Sequence, residues 1–543
     1  MEFNLADLFE AVADAVPDRT AVVFGNHRLS YREFEARANQ FAHVLGAHGV
    51  GVGDHVGLYL HNGPEFLEVM LACFKVRAVP INVNDRYVAG EVQYLVDDAD
   101  LVALVWSPAL GPVVDPLAVG SWARLAVAAG PDYESLIADA EATRDFGPRS
   151  GDDHYILYTG GTTGRPKGVV WRHEDIFFTA IGGGNPGGPP LEAPEQLVPA
   201  NLANPNQRLT PFLPPGDPGP GELVALSLGP LAHASGQWLA LGALLGGGTI
   251  VLYDRDAMDM AHVLELVERE RVGMLTLVGD ATGRPLLDRL TAHPGATETA
   301  SLRLLGSGGS ILSGDVKDGL LKALPSVAVV LEAIGSSESP SQAVAITTQG
   351  GAPARSLRFA PKAETIVVDD DLRPLAAGSG LVGRLATRGR APLRYHKDPE
   401  RSARTFVEID GERWTLPGDM ATVDADGTIN LVGRGSMCIN TGGEKVYPEE
   451  VEAVLKAHRA IADAVVVGVV DETWGQRVVA VVACSDGVVA PTLDEVRAHC
   501  RGHLAGYKAP RALHVVSAIR RSAAGKPDYV WAAEIAAAAA AGD

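Results

Sequence analysis

Apolar positions change period several times along the first hundred residues, and each change marks an element. Leu5, Leu8, Phe9, Val12 and Val16 fall at helical spacing behind Asn4, whose side chain suits an N-cap. Ser30 and Glu33 have capping-box spacing ahead of Phe34, Phe41 and Leu45, the apolar face of a second helix. Residues 55–60 then read as a strand, 64–76 as a helix and 78–83 as a strand. Short apolar runs at 101–106, 154–158, 223–228, 249–253, 273–278, 302–305 and 327–331 continue the alternation. Such strands alternating with helices predict buried, mostly parallel sheets with helices on both faces. Ligands of such sheets sit at the carboxyl ends of strands.

The pattern stops between Gly182 and Gly221, where glycine and proline crowd the chain. A long structureless insert is predicted there, a wall or lid beside a pocket being favoured over a plain surface excursion. It resumes near the end: 451–457 reads as helix, 464–470 and 478–483 as strands, and 493–504 as helix. That is a small α+β unit of about a hundred residues. The alanine-rich tail at 532–543 is expected to fray.

Composition narrows the class. A chain of 543 residues exceeds one core, so at least two domains are expected. Hydrophobic residues make up 46%, which rules out wholesale disorder. A formal charge of −21 argues against nucleic acid as partner. It also means that an anionic ligand must be held by local cations. Cys73, Cys438, Cys484 and Cys500 lack zinc-finger spacing, and Cys73 lies in an apolar helical run that suits a buried thiol. The acidic start lacks the basic and apolar regions of a signal peptide, and no apolar run reaches membrane-spanning length. A cytoplasmic protein without a transmembrane segment is expected.

The chemistry concentrates in Leu157-Tyr-Thr-Gly-Gly-Thr-Thr-Gly-Arg-Pro-Lys-Gly-Val-Val-Trp171. Glycine lets backbone N–H groups approach and cradle phosphate oxygens. Thr159, Gly160, Gly161, Thr162, Thr163 and Lys167 therefore read as a polyphosphate clamp at the end of a strand, not as an ordinary Gly/Thr-rich surface loop. It is not the common P-loop, because Pro166 precedes the lysine and Gly168 follows it where a metal-binding hydroxyl belongs.

This run resembles the phosphate loop of the adenylate-forming superfamily: acyl-CoA synthetases, adenylation domains of peptide synthetases, and luciferases. The resemblance covers nearly the whole chain, with its motifs in order. Leu304 to Ser310 resembles the segment lining the adenine and acyl pockets, which implies nucleotide-binding roles for Gly308, Gly309 and Ser310. Ile334-Gly335-Ser336-Ser337-Glu338 resembles the motif whose glutamate holds Mg2+, with Ile334 where an aromatic residue usually stacks on adenine. Pro417-Gly-Asp419 resembles the motif whose aspartate grips the ribose, and Arg434 is implied to reach the nucleotide. Ser436 stands at the hinge position, where Asp or Lys is usual, and Thr441, Gly442 and Gly443 resemble the CoA-channel loop. His233 matches a histidine beside the acyl carboxylate, with a satisfied core histidine as the alternative. Lys526, followed unusually by Pro527, matches the closing lysine. Lys526, His233 and Glu338 are thus the implied catalytic residues.

The resemblance implies a large N-terminal α/β domain over 1–435, with stacked mostly parallel sheets and a small β subdomain. A mobile α+β lid would follow over 436–543. It implies an AMP-forming acid–thiol ligase using ATP, Mg2+ and coenzyme A. Gly433 to Pro448 and Ala524-Gly-Lys-Pro-Asp-Tyr529 narrow it to a likeness with actinobacterial acyl-CoA ligases of steroid side chains and other polycyclic acids, diterpenoids included. Ser339-Pro340 and Arg394-Tyr395 depart from the usual motifs. Three rivals stay open at this point: a thioesterification-only ligase fed by an adenylating partner enzyme, an enzyme loading a carrier protein, and a non-catalytic ligand-binding relic. The sequence also leaves a homodimer, and the acid itself, open.

Overall fold

A computed structural model describes the chain except residues 162–163, 184–188, 204–212, 214–220, 311, 352–357, 362, 442–443, 472–474, 486, 505, 522–524 and 541–543. At 160–161, 164–165, 203, 361, 434, 436, 440, 444–445, 475 and 539–540 it describes the backbone alone. Three sheets organise what is described. In the first, Val79–Asn82, His55–Tyr59, Leu101–Trp106 and Leu125–Ala128 run parallel, and His154–Gly161 joins them beside Val79–Asn82. The second has a parallel centre of Val329–Ile334, Leu304–Ser307, Met274–Leu277, Val224–Ser227, Thr249–Leu252 and Thr20–Phe24. Beyond Val329–Ile334 it continues as antiparallel strands through Ile429–Arg434, the small β subdomain.

Helices fill the space between these sheets. Leu5–Ala15, Tyr31–Ala47, Pro64–Lys75 and Ala234–Leu245 share one apolar cluster with Leu58, Ala103 and Tyr155 of the first sheet and Val22, Ala225 and Ile250 of the second. The outer face of the second sheet carries Met260–Glu270, Gly279–Ala292 and Gly314–Ala323. Caps match their sequence signatures: the Asn4 side chain accepts from Ala6 N, and Ser30 and Glu33 close a reciprocal box. The third sheet belongs to the smaller C-terminal domain, the expected lid, where Ile461–Asp471 and Gly475–Cys484 pair antiparallel and Ala512–Val516 runs parallel to the latter. Among the described residues, no helix is long and apolar enough to cross a membrane.

Two expectations are corrected. The insert is not structureless throughout: Leu197–Ala203 is helical, Leu197 is fully buried, and the Asn201 amide donates to Leu245 O at 2.8 Å. Val198 and Leu202 pack on the same core, so a short apolar face survived among the breakers. The tail does not fray at 532 either. Tyr529–Ala540 is a helix, and the small side chains of Ala532 and Ala536 let it lie against the lid sheet.

Candidate active site

The phosphate run folds as a hairpin rather than a strand followed by a loop. His154–Gly161 turns back as Gly164–Arg172, which places Lys167 directly across from Thr159. Gly168 is required there, since a Cβ would stand 2.8 Å from the Tyr158 ring. Tyr158 is itself fixed by its hydroxyl, which donates to Asp98 at 2.7 Å. Thr162 and Thr163 lie outside the described residues. Gly160 and Gly161 end the first strand of the hairpin.

Lys167 converges with Glu338 and Tyr395. Its Nζ lies 3.0 Å from Glu338 Oε1 and 3.0 Å from the Tyr395 hydroxyl, and 4.3 Å from the centre of the Tyr395 ring. The Tyr395 hydroxyl donates to the same Glu338 oxygen at 2.6 Å. Burial and the adjacent carboxylate push the Tyr395 phenol far above its ordinary range, so it stays a donor. Tyr395 is held by a two-residue strand, Arg394–Tyr395, paired with the hairpin. Its site role was missed because its neighbours depart from the usual motif.

Glu338 sits in a tight loop after the strand Val329–Ile334. Ser336 N donates to Ser339 O at 2.9 Å, and the Ser336 hydroxyl accepts from the N–H groups of Glu338 and Ser339. A Cβ on Gly335 would meet the Pro340 carbonyl, so only glycine fits. Ser337 O accepts from the Trp171 indole at 2.9 Å, which ties this loop to the hairpin. The Ile334 side chain is buried with Ala343, Phe359 and Ile429 of the β subdomain. Gly308, Gly309 and Ser310 leave the carboxyl end of the neighbouring strand, with Gly309 at φ 76°.

Asp419 and Arg434 are cross-strand neighbours where Asp419–Val423 and Ile429–Arg434 meet. The turn Gly435–Met437, which contains Ser436, follows immediately, and Gly435 N donates to Gly418 O at 3.0 Å. Thr441 is buried, and its hydroxyl has no hydrogen-bond partner among the described residues. Gly442 and Gly443 lie outside them.

His233 stands at the N-cap position of the helix Ala234–Leu245 without a side-chain capping bond, and its Nε2 is buried with no hydrogen-bond partner among the described residues. Burial, then the cations Lys526 and Arg86, push its pKa down to about 4. The imidazole is therefore neutral at pH 7, and Lys526 of the lid is within electrostatic reach of it. The loop bearing Lys526 packs on the large domain: a Cβ on Gly525 would lie 2.5 Å from Val278 and 3.3 Å from Ala281. Arg521 holds that loop, binding Asp463 at 2.7 Å and donating to Gly525 O at 2.7 Å.

Asn82 is a second residue that the motifs did not expose. Buried at the end of its strand, its amide donates to Tyr158 O at 2.8 Å and Ala232 O at 2.7 Å, and its oxygen accepts from Tyr158 N. One side chain thus fixes the hairpin against the segment carrying His233. Asn62 helps from the other side by accepting from Leu231 N at 2.9 Å.

A glycine-built hairpin with a lysine, a buried carboxylate beside it, and a C-terminal domain whose Gly525–Lys526 segment packs on the large domain fit an adenylate-forming ligase. The comparisons agree, and the chain belongs to the AMP-binding enzyme family: residues 9–394 match the AMP-binding enzyme model, and 450–526 match the AMP-binding enzyme C-terminal domain. It is 42% identical to the medium/long-chain-fatty-acid–CoA/3-oxocholest-4-en-26-oate–CoA ligase of Mycolicibacterium smegmatis, over 98% of this chain and 97% of that one. It is 41% identical to the 3-oxocholest-4-en-26-oate–CoA ligase of Rhodococcus rhodochrous, over 98% and 96%. Among solved structures it resembles the anthranilate CoA ligase AuaEII with anthranoyl-AMP, at TM-score 0.81 and 23% identity over 98% of each chain. ATP-bound MatB from Rhodopseudomonas palustris is similar too, at TM-score 0.80 and 24% identity over 98% of this chain and 99% of that one. The protein is an AMP-forming acyl-CoA ligase, and its substrates are a carboxylic acid, ATP and CoA.

Proposed function

We propose that the acid is bulky and largely apolar, polycyclic or fatty, and that both half-reactions run on this one chain. The second point is supported by the docked lid, whose Gly525, next to Lys526, packs on Val278 and Ala281 of the large domain. An acid and a polyphosphate are both anions, so their reaction depends on positioning and on neutralised charge. Lys526 would span the acid's carboxylate and the α-phosphate while the carboxylate attacks and pyrophosphate leaves. Lys167 and the hairpin N–H groups would restrain the pyrophosphate. Neutral His233 would border the acid without adding a competing charge. Asp419 would accept from ribose hydroxyls, Arg434 would reach the nucleotide, and Gly308 to Ser310 with the 334–338 loop would border the base.

Mg2+ fits this donor set. Among the described residues no cluster of three or more His, Cys, Asp or Glu could hold a metal, but Glu338 offers one buried carboxylate beside the phosphate hairpin. Mg2+ commonly takes one or two protein carboxylates and completes its shell with phosphates and water. When bound, it supplies neutralisation of the polyphosphate charge.

For the second half-reaction the lid, 436–543, would turn about Ser436 relative to 1–435. Lys526 would withdraw, and Thr441 to Gly443 would line the thiol's path. The CoA sulfur then attacks the acyl carbonyl, and AMP departs. The apolar preference is supported by the relatives and by the helix behind His233. Ala234–Leu245 has no charged residue, and its Trp238 and Leu239 are only partly buried. The enzyme is assigned to the cytoplasm, where its nucleotide and CoA substrates reside. A panel of steroid carboxylates, diterpenoid acids, fatty acids and short polar acids, assayed for AMP and acyl-CoA formation, tests the reading. Turnover confined to the apolar members is expected; preference for short polar acids would contradict it.

A further inference from the structure

The lid rests on the first turn of the helix Gly279–Ala292, and one buried ion pair crosses that contact. Lys456 ends the lid helix Pro448–Lys456. Its Nζ stands 3.7 Å from Asp280 Oδ2, with the two side chains only 4% and 6% exposed. Asp280 is anchored on its own side: Ser313 N donates to Oδ1 at 2.8 Å, and the Ser313 hydroxyl donates to Oδ2. Lys456 is anchored on the other. One turn earlier on its helix, Glu452 is buried, accepts from Val466 N at 2.9 Å and feels the Lys456 charge. Val278 and Ala281, which flank Asp280, are the residues that receive Gly525 beside Lys526. The ion pair and the catalytic loop thus grip the same turn.

An ion pair divided between two domains contributes to one relative position of those domains and not to the other. It acts on the equilibrium between positions rather than on bond-making. In the docked position Lys456 faces Asp280 across the contact, with Glu452 one turn behind it on its own helix. When the lid turns away, Asp280 keeps Ser313 but loses its cation, and both charges gain water. We propose that Lys456 and Asp280 form the latch that holds the lid in its adenylate-forming position, each acting as a positioning residue for Lys526. The proposal rests on the two-position reading of the lid given above. It adds that the docked state is selected by a specific interdomain charge pair, remote from nucleotide and acid.

The test measures the half-reactions separately in the full-length enzyme: acid-dependent pyrophosphate exchange, and CoA transfer from supplied acyl-adenylate. Lys456→Met and Asp280→Asn should each lower exchange about tenfold, within the usual range of coupling between sites. Transfer should stay at or above the parental rate. The double variant should be no worse than the more affected single one, because both changes remove one contact. Unchanged exchange, an equal fall in both half-reactions, or additive losses in the double variant would overturn the latch. Asp280→Asn preserves the side-chain shape, and Lys456→Gln repeats the test should Lys456→Met unfold at a lower temperature. Lys526→Ala, measured alongside, separates the two ideas. If it suppresses exchange alone while the latch variants do nothing, the moving lid stands and the latch falls. If it fails to separate the half-reactions, the two-position reading falls and takes the latch with it.

Discussion

At the scale of single residues, the site depends on a few buried donors and acceptors with few alternatives. Tyr395→Phe keeps the ring beneath Lys167 and removes the hydroxyl that donates to Glu338 and accepts from Lys167. A hydrogen bond to a charged group is worth roughly 1.5–3 kcal/mol, so Mg-ATP affinity should fall by about tenfold or more, as read by titration calorimetry. Unaltered affinity would mean that Glu338 needs no second donor. His173 makes a different prediction. It is fully buried, its Nδ1 accepts from Leu5 N at 3.3 Å, and burial pushes its pKa down to about 4. The unfolded imidazole titrates near 6.5, so between there and about 4 the unfolded chain binds more protons and stability falls as the pH falls. The loss attributable to His173 is about 3 kcal/mol at most. His173→Asn should flatten that part of the pH–stability curve in chemical denaturation. Lys167 could be named from its glycine- and threonine-rich run, and Glu338, Asp419 and Lys526 only from the resemblance of their motifs. Tyr395 and Asn82 could not, because their roles arise from pairings 228 and 76 residues apart in the chain.

At the scale of elements, the hairpin His154–Arg172 shows both the reach of sequence reading and its edge. Apolar residues before Thr159 predict the first strand, but glycine and proline in the return strand hide its extended form. Pairing across the hairpin overrides that local preference. The strands at 302–305 and 327–331 are displaced for a related reason. Leu302 and Val327 are fully buried, yet the strands run Leu304–Ser307 and Val329–Ile334, since apolarity reports burial and the ladder reports pairing. The helix at 197–203 and the terminal helix at 529–540 were obscured in the same way, one by flanking breakers and one by alanines with little amphipathic contrast. Gly168→Ala tests the hairpin. Its methyl would stand 2.8 Å from the buried Tyr158 ring and 3.1 Å from Ile156. Overpacking of this kind costs about 1–3 kcal/mol. A lower unfolding temperature with weakened ATP binding is expected; an unchanged transition would show that the ring can move aside.

For the whole molecule, the account is that two domains bring separate charges to one nucleotide. The large domain supplies a cradle whose parts, 158, 232 and 337–338, are joined by side-chain bridges from Asn82, Trp171 and Tyr395. The lid supplies Lys526 on a loop held by Arg521 and seated on Val278 and Ala281. The two-domain order was readable from the sequence, because each domain closes its own apolar pattern. The docking of one on the other was not, because it joins segments far apart in the chain, such as Asp280 with Lys456 and Val278 with Gly525. The most direct test is Lys526→Ala assayed in both half-reactions. The account predicts that acid-dependent pyrophosphate exchange falls about a hundredfold or more, as for loss of a charge that stabilises a transition state, while transfer of the acyl group from supplied acyl-adenylate to CoA stays near the parental rate. Equal losses in the two steps, or exchange that survives without the lysine, would contradict it.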